Sequence, residues 1–266
     1  MKLREEAGRT PDEAAERIGC HRSKISRVEN ARLGISLGEV RDLLHFYGAR
    51  DETYIEEVVS LARRSNERGW TQKVGLTVPS YVDYVDYEET ADYIRSFEPL
   101  AIAGLLQTAD YARGLLKASP AMFPKERIDE LVSVRMRRQE ILSADRPPRI
   151  CVIEGEAALR TKVGGDAVMR RQLEHLEALA EHPNVEVQVL PFSAGAHAGV
   201  NGSFVLFSFP TPAFSDVVCV EHRAGTLYME TEEETDVYTL TFDSLRSTAL
   251  SPRRSLDMIT RVKQEL

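Results

Sequence analysis

The chain has 266 residues, 42% of them hydrophobic and 29% charged, which is ordinary globular material in a length that suits two modules. Its formal net charge of −8 at pH 7 excludes a uniformly basic nucleic-acid binder. The charge is unevenly spread, however: residues 1–70 hold 13 Lys/Arg against 13 Asp/Glu, and residues 71–266 hold 21 against 29, the whole acidic excess. No apolar run approaches the roughly 18–20 residues that span a bilayer, and MKLREEAGRT carries no apolar leader, so a cytoplasmic protein with no membrane partner is expected. Cys20, Cys151 and Cys219 sit in no CxxC or Cys/His spacing, so no disulfide framework, metal or cofactor is expected.

Residues 10–18, TPDEAAERI, open with a helix start: Thr10 as cap, Pro11 at the first helical position and Glu13 closing a Thr-x-x-Glu box. Ala14, Ala15 and Ile18 form its inward face, and Gly19 ends it. A second helix over 22–30 turns Ile25 and Val28 inward and carries Arg22, Ser23, Lys24, Ser26 and Arg27 on its outer face. Two short helices joined by a glycine turn, the second polar and basic outside, make a helix-turn-helix. A third helix over 36–47 places Leu37, Val40, Leu43, Leu44 and Tyr47 at core spacing, and Gly48 stops it.

The run LREEAGRTPDEAAERIGCHRSKISRVENARLG, residues 3–34, resembles the Xre-type helix-turn-helix regulators, with RSKISRVEN at 22–30 its most specific part. The resemblance implies a DNA-binding domain over 1–50. Pro11 stands where that family usually has a glutamine, and His21 where it has a small hydroxyl cap. The first helix is also shorter than the family pattern. The N-terminus of a recognition helix points into the major groove, so Arg22, Ser23 and Lys24 are expected at base edges, with Arg22 or Lys24 reaching guanine. Ser26 shares that face. Arg27, Asn30 and Arg32 are expected on phosphates, as are Thr10 and the first N–H groups of its helix. The competing reading of each arginine is a solvated surface charge. Glu29 is expected in a structural ion pair.

Residues 51–70 are read as an amphipathic linker helix, striped by Tyr54, Ile55, Val58, Leu61 and Ala62, with a dimer role as an alternative to a bridge. Trp70 is read as a core or interface anchor. Residues 71–266 are read as a larger α+β or α/β domain with a mixed sheet and flanking helices, mostly helical over 71–145 and α/β over 146–266. A long helix is expected from Pro124 to Leu142, strands at 150–154 and 185–189, and a helix at 166–181 between them. Three more strands at 203–209, 216–222 and 225–230 precede helices at 232–248 and from Pro252 to Val262.

The runs YEETADYIRSFEPLAIAGLLQTADYAR, VGGDAVMRRQLEHL, NVEVQVLPFSAGAHAGVNGSF and VVCVEHRAGTLYME resemble the C-terminal domain of actinobacterial antitoxin-like regulators of the WhiJ type. That resemblance implies a repressor controlled by a small acidic protein encoded nearby, and a helix-turn-helix of this kind is expected to act as a homodimer on a palindromic operator in double-stranded DNA. The alternative is a one-component sensor whose larger domain binds a small molecule. Candidate partner-binding residues are Tyr81, Tyr84 and Tyr87, for which core packing competes evenly, together with His197, Glu221, His222 and Arg223. His197 precedes a Gly-Ser and a β-run, but a phosphodiester-cleaving site of that kind needs His-x-Lys, and Gly199 stands in the lysine's place. No catalytic residue is assigned and no enzyme is expected. Gly164-Gly165 before a helix reads as an ordinary turn.

Overall fold

The computed structural model describes residues 2–29, 35–66, 79–119, 124–210, 215–222 and 225–266. They divide into two compact units, 1–77 and 78–266. The first is helical, with α1 (Lys2–Glu6), α2 (Pro11–Arg17), α3 (Arg22–Glu29), α4 (Leu37–Phe46) and α5 (Glu52–Asn66). α2 starts as the sequence predicts. Thr10 Oγ1 accepts the Glu13 N–H, the Glu13 carboxylate accepts the Thr10 N–H, and Pro11 takes the first position. Gly19, at φ +65°, reverses the chain after Ile18, a conformation that a β-carbon would strain.

Ala14, Ala15, Ile25 and Leu43 close a small core joining α2, α3 and α4. A second cluster, Val40, Leu44, Ile55 and Val59, seats α5 on α4. The reading of 51–70 as a linker helix is therefore corrected: α5 spends its apolar stripe inside the first unit, with Ile55 fully buried. Trp70 lies outside the described residues.

The second unit is a six-stranded mixed sheet with helices on both faces, as expected of its class. In chain order it comprises α6 (Pro79–Thr90), β1 (Tyr93–Glu98), α7 (Ala109–Lys117), α8 (Ile128–Arg138), β2 (Arg149–Gly155), α9 (Glu156–Arg160), α10 (Asp166–Leu179), β3 (Val185–Leu190), β4 (Phe204–Ser208), β5 (Val217–His222), β6 (Gly225–Met229), α11 (Glu232–Thr248) and α12 (Pro252–Gln264). The strand order is β3-β2-β1-β4-β5-β6. β1, β2 and β3 run parallel, while β4, β5 and β6 continue antiparallel from β1.

The described residues of 71–145 are mostly helical, with β1 as a strand the sequence reading did not place there. It lies at the centre of the sheet, yet its sequence YIRSFE lacks the apolar run of a strand buried on both faces. Arg95 is nevertheless buried, because its Nη2 donates to Ser208 Oγ at 2.8 Å and Asp216 Oδ2 at 2.9 Å. The expected helix from Pro124 to Leu142 is α8 with a 3₁₀ turn at each end, Lys125–Arg127 and Gln139–Ser143.

Alternation assigns the two faces. On one, Ile94, Ile150, Val152, Val187, Val205, Phe207 and Cys219 pack with residues of α6, α7, α10 and α12. On the other, Phe97, Cys151, Ile153, Phe204, Leu206 and Val218 pack with Phe242 and Leu245 of α11. The loop between β3 and β4 returns tightly over Phe97: a β-carbon at Gly199 would run into that ring.

Candidate DNA-binding surface

α2 and α3 are held at a fixed angle by Ala15 and Ile25, leaving the start of α3 to solvent. His21 serves as its cap, with Nδ1 accepting the Ser23 N–H at 3.2 Å and standing 3.0 Å from the Ser23 hydroxyl. An imidazole thus takes the place of the small hydroxyl cap. Arg22 is exposed and makes a 3.3 Å ion pair with Asp12, itself exposed on α2. Such a pair opens at little cost, so Arg22 is available to a ligand. Arg22, Ser23 and His21 form the exposed tip of α3.

Lys24, expected at a base edge, is engaged within the unit. Its Nζ lies 2.6 Å from Glu39 Oε1, half-buried against α4. Glu39 is also the carboxylate of the α4 capping box with Ser36. The Lys24 ammonium and the Ser36 N–H together hold the Glu39 carboxyl below its usual range. Lys24 therefore braces the recognition helix on α4. Thr10 is also committed: its hydroxyl donates to Glu13 Oε2 at 2.9 Å while accepting the Glu13 N–H. Hydrogen bonds from the Thr10 backbone and hydroxyl keep the Glu13 carboxyl low, so the start of α2 already has its own anion. A phosphate there would compete with it. Ser26 and Arg27 lie on α3, and Asn30 and Arg32 lie outside the described residues.

Glu29 forms the expected structural ion pair, with an arginine that sequence reasoning did not single out. Arg4 donates from Nε at 2.8 Å and from Nη2 at 3.0 Å to the two Glu29 oxygens, and from Nη1 to the Arg9 carbonyl at 2.8 Å. The buried guanidinium ties α1 and the α1–α2 turn to the end of α3, and the Glu29 hydrogen bond holds its pKa above the usual value.

In the second unit the tyrosines pack rather than present a surface. Tyr84 meets Phe207 edge-on at 5.4 Å, Tyr87 lies against Phe207 and Tyr228, and Tyr81 stacks on Tyr84 at 6.3 Å. Arg138 sits over the Tyr81 and Tyr84 rings and forms a bidentate, fully buried pair with Glu88 at 2.6 and 2.7 Å. Burial works against the Arg138 charge, yet the adjacent Glu88 holds its pKa well above the usual value.

His197 lies against the Phe97 ring, and its Nδ1 accepts the Gly199 N–H at 3.1 Å, which makes it a loop-bracing side chain. Glu221 and His222 are consecutive on β5 and so leave the sheet on opposite faces, which separates the acid–base pair suggested by their adjacency. Arg223 lies outside the described residues. Two carboxylates the sequence did not single out, Glu98 and Glu154, are register partners at the C-terminal ends of β1 and β2. Among the described residues, no group of three or more His, Cys, Asp or Glu is placed to hold a metal. No helix among them is long and apolar enough to cross a membrane.

Residues 2–57 match the family model described as a helix-turn-helix domain. Residues 81–261, more than half of the chain, match the model described as domain of unknown function DUF5753. The chain belongs to the DUF5753 family. No curated protein and no solved structure matches it. This DUF5753 chain is thus a DNA-binding regulator by its first unit, the helix-turn-helix match coinciding with α1–α5 up to Glu57. The family domain covers the sheet and its helices.

Proposed function

We propose that the chain is a repressor that reads a palindromic operator as a homodimer, through the exposed tip of α3, and that its DUF5753 domain controls when it does so. The observation that carries this reading is the α2–turn–α3 unit. Its recognition helix is capped, braced on α4 through Lys24–Glu39, and solvent-exposed at Arg22 and Ser23. The acidic excess of residues 71–266 supports the division of labour, since that part of the chain repels phosphate and acts elsewhere than on DNA. The protein acts in the cytoplasm, by binding, without catalysis and without a cofactor.

Control by a small acidic protein rests on the resemblance to the WhiJ-type regulators alone, and the acidity of the receiving domain works against it. Control by a small molecule has a specific observation in its favour: a buried, unsatisfied carboxylate at one end of the sheet. We therefore take the sensor as the leading reading. Footprinting of genomic fragments, with Arg22→Ala and Ser23→Ala as variants, tests the DNA half. Protected half-sites about 34 Å apart that fade in both variants are expected. An unchanged footprint in both would remove α3 from the interface.

A further inference from the structure

Glu98 and Glu154 pair in register on adjacent parallel strands, so both side chains leave the sheet on the same face. Glu221 stands on that face too, two positions beyond Cys219, whose partner Val205 is opposite Ser96. Ser96 Oγ donates to Glu98 Oε1 at 3.4 Å. Glu154 is fully buried: its Oε1 accepts the Ala103 N–H at 2.9 Å, and its Oε2 has no hydrogen-bond partner among the described residues. An isolated buried acceptor of this kind is costly to leave unmade, and a pair of adjacent carboxylates requires a proton or a cation between them. Arg135 lies close enough to influence Glu98, but its Nη1 is bonded to Gln107 Oε1 at 2.7 Å. Neither carboxylate forms an ion pair among the described residues.

Burial, with Glu221 adding to it, pushes Glu98 up to about 8, and burial holds Glu154 well above the usual carboxylate range. Both shifts favour the protonated carboxyl over a bare carboxylate at this pair. Exposed apolar side chains stand in the loops at this end of the sheet. Leu100, two residues past Glu98, and Val200, in the loop entering β4 beside it, are each 71% exposed, and Phe192, just past β3, is 64% exposed. All three follow the C-terminal ends of the parallel strands or precede the start of β4, at one end of the sheet.

We propose that this end of the sheet binds a small organic ammonium ligand, its N–H donors meeting Glu154 Oε2 and Glu98 and its apolar body resting on Leu100 and Val200. The apolar rim favours an organic cation over a hydrated metal ion. The assignment names the ligand class for the sensor reading above and rests on it only for its link to DNA.

Calorimetry on the full chain tests it, with 2-phenylethylammonium, hexylammonium and cyclohexylammonium chlorides as probes, run in two buffers of different ionisation enthalpy. Saturable binding of at least one probe is expected, with a proton released and affinity rising about tenfold per pH unit between pH 6 and 7.5. Uncharged 2-phenylethanol should not bind. Glu98→Gln and Glu154→Gln mimic the protonated side chains and should still unfold cooperatively, at an equal or higher temperature, while each weakens binding at least about tenfold. Silence from all three probes, affinity unchanged in both variants, or saturation by MnCl₂ at the same two glutamates overturns the proposal. A probe that binds without altering operator affinity in a mobility shift leaves the site standing and refutes the sensor reading instead.

Discussion

Arg22 and Lys24, two residues apart on α3, are expected to fail differently when replaced. Arg22→Ala removes an exposed guanidinium at the helix tip, and we expect a loss of about 1–3 kcal/mol in operator binding with relaxed choice at one base pair, read by competition among operator variants. Lys24→Ala breaks a half-buried pair with Glu39. It should lower the stability of the first unit by about 0.5–1 kcal/mol, read by chemical denaturation, while leaving the ranking of operator variants intact. Glu98 makes a pH prediction. Its pKa rises from 4.5 unfolded to about 8 folded, so the folded state holds the proton more tightly. Stability is therefore full below pH 4.5, falls as pH rises between 4.5 and 8, and levels off above. Glu98→Gln should flatten that decline and gain about 1–2 kcal/mol at pH 8, discounted because the side chain is only partly shielded from solvent.

The elements that could be read from the sequence were those whose signals are local. Thr10, Pro11 and Glu13 announce α2 within four residues, and Val185, Val187 and Val189 announce β3 by alternation. β1 was hidden because Arg95 and Ser96 interrupt it, and Arg95 becomes tolerable only through Ser208 and Asp216, more than a hundred positions away. Separation along the chain also hid the second unit's polar cluster: Glu98 and Glu154 lie on different strands, and nothing near either signals the other. The Lys24–Glu39 pair could not be read from the sequence because Glu39 belongs to the next helix. The tyrosines of α6 looked like an interface because tyrosine suits both interfaces and half-wet cores, and only Phe207 and Tyr228 decide between them. Two packing predictions belong at this scale. Gly199→Ala should cost about 1–3 kcal/mol, since the β3–β4 loop must move off Phe97. Glu88→Gln should cost about 3–5 kcal/mol by leaving Arg138 charged and buried, and Glu88→Gln with Arg138→Met should recover most of it in thermal unfolding.

For the whole molecule, the separation of charge sets how operator binding responds to salt. The first 34 residues hold eight basic and six acidic side chains, and residues 35–70 hold five and seven, which cancels that excess, so attraction to DNA depends on where a few arginines stand. Arg27→Ala should weaken all sequences alike and reduce the slope of log affinity against log salt by about one, measured from about 50 to 200 mM. The placement of β1 has a further consequence during synthesis. Both of its neighbours are encoded later: β2 begins at Arg149 and β4 at Phe204. At about 5–20 residues per second, β1 leaves the ribosome several seconds before either edge can be covered. An exposed strand edge in a nascent chain invites pairing with the wrong partner. A charged side chain such as Arg95 on a strand disfavours such pairing, and in the finished sheet the same guanidinium is held by Asp216.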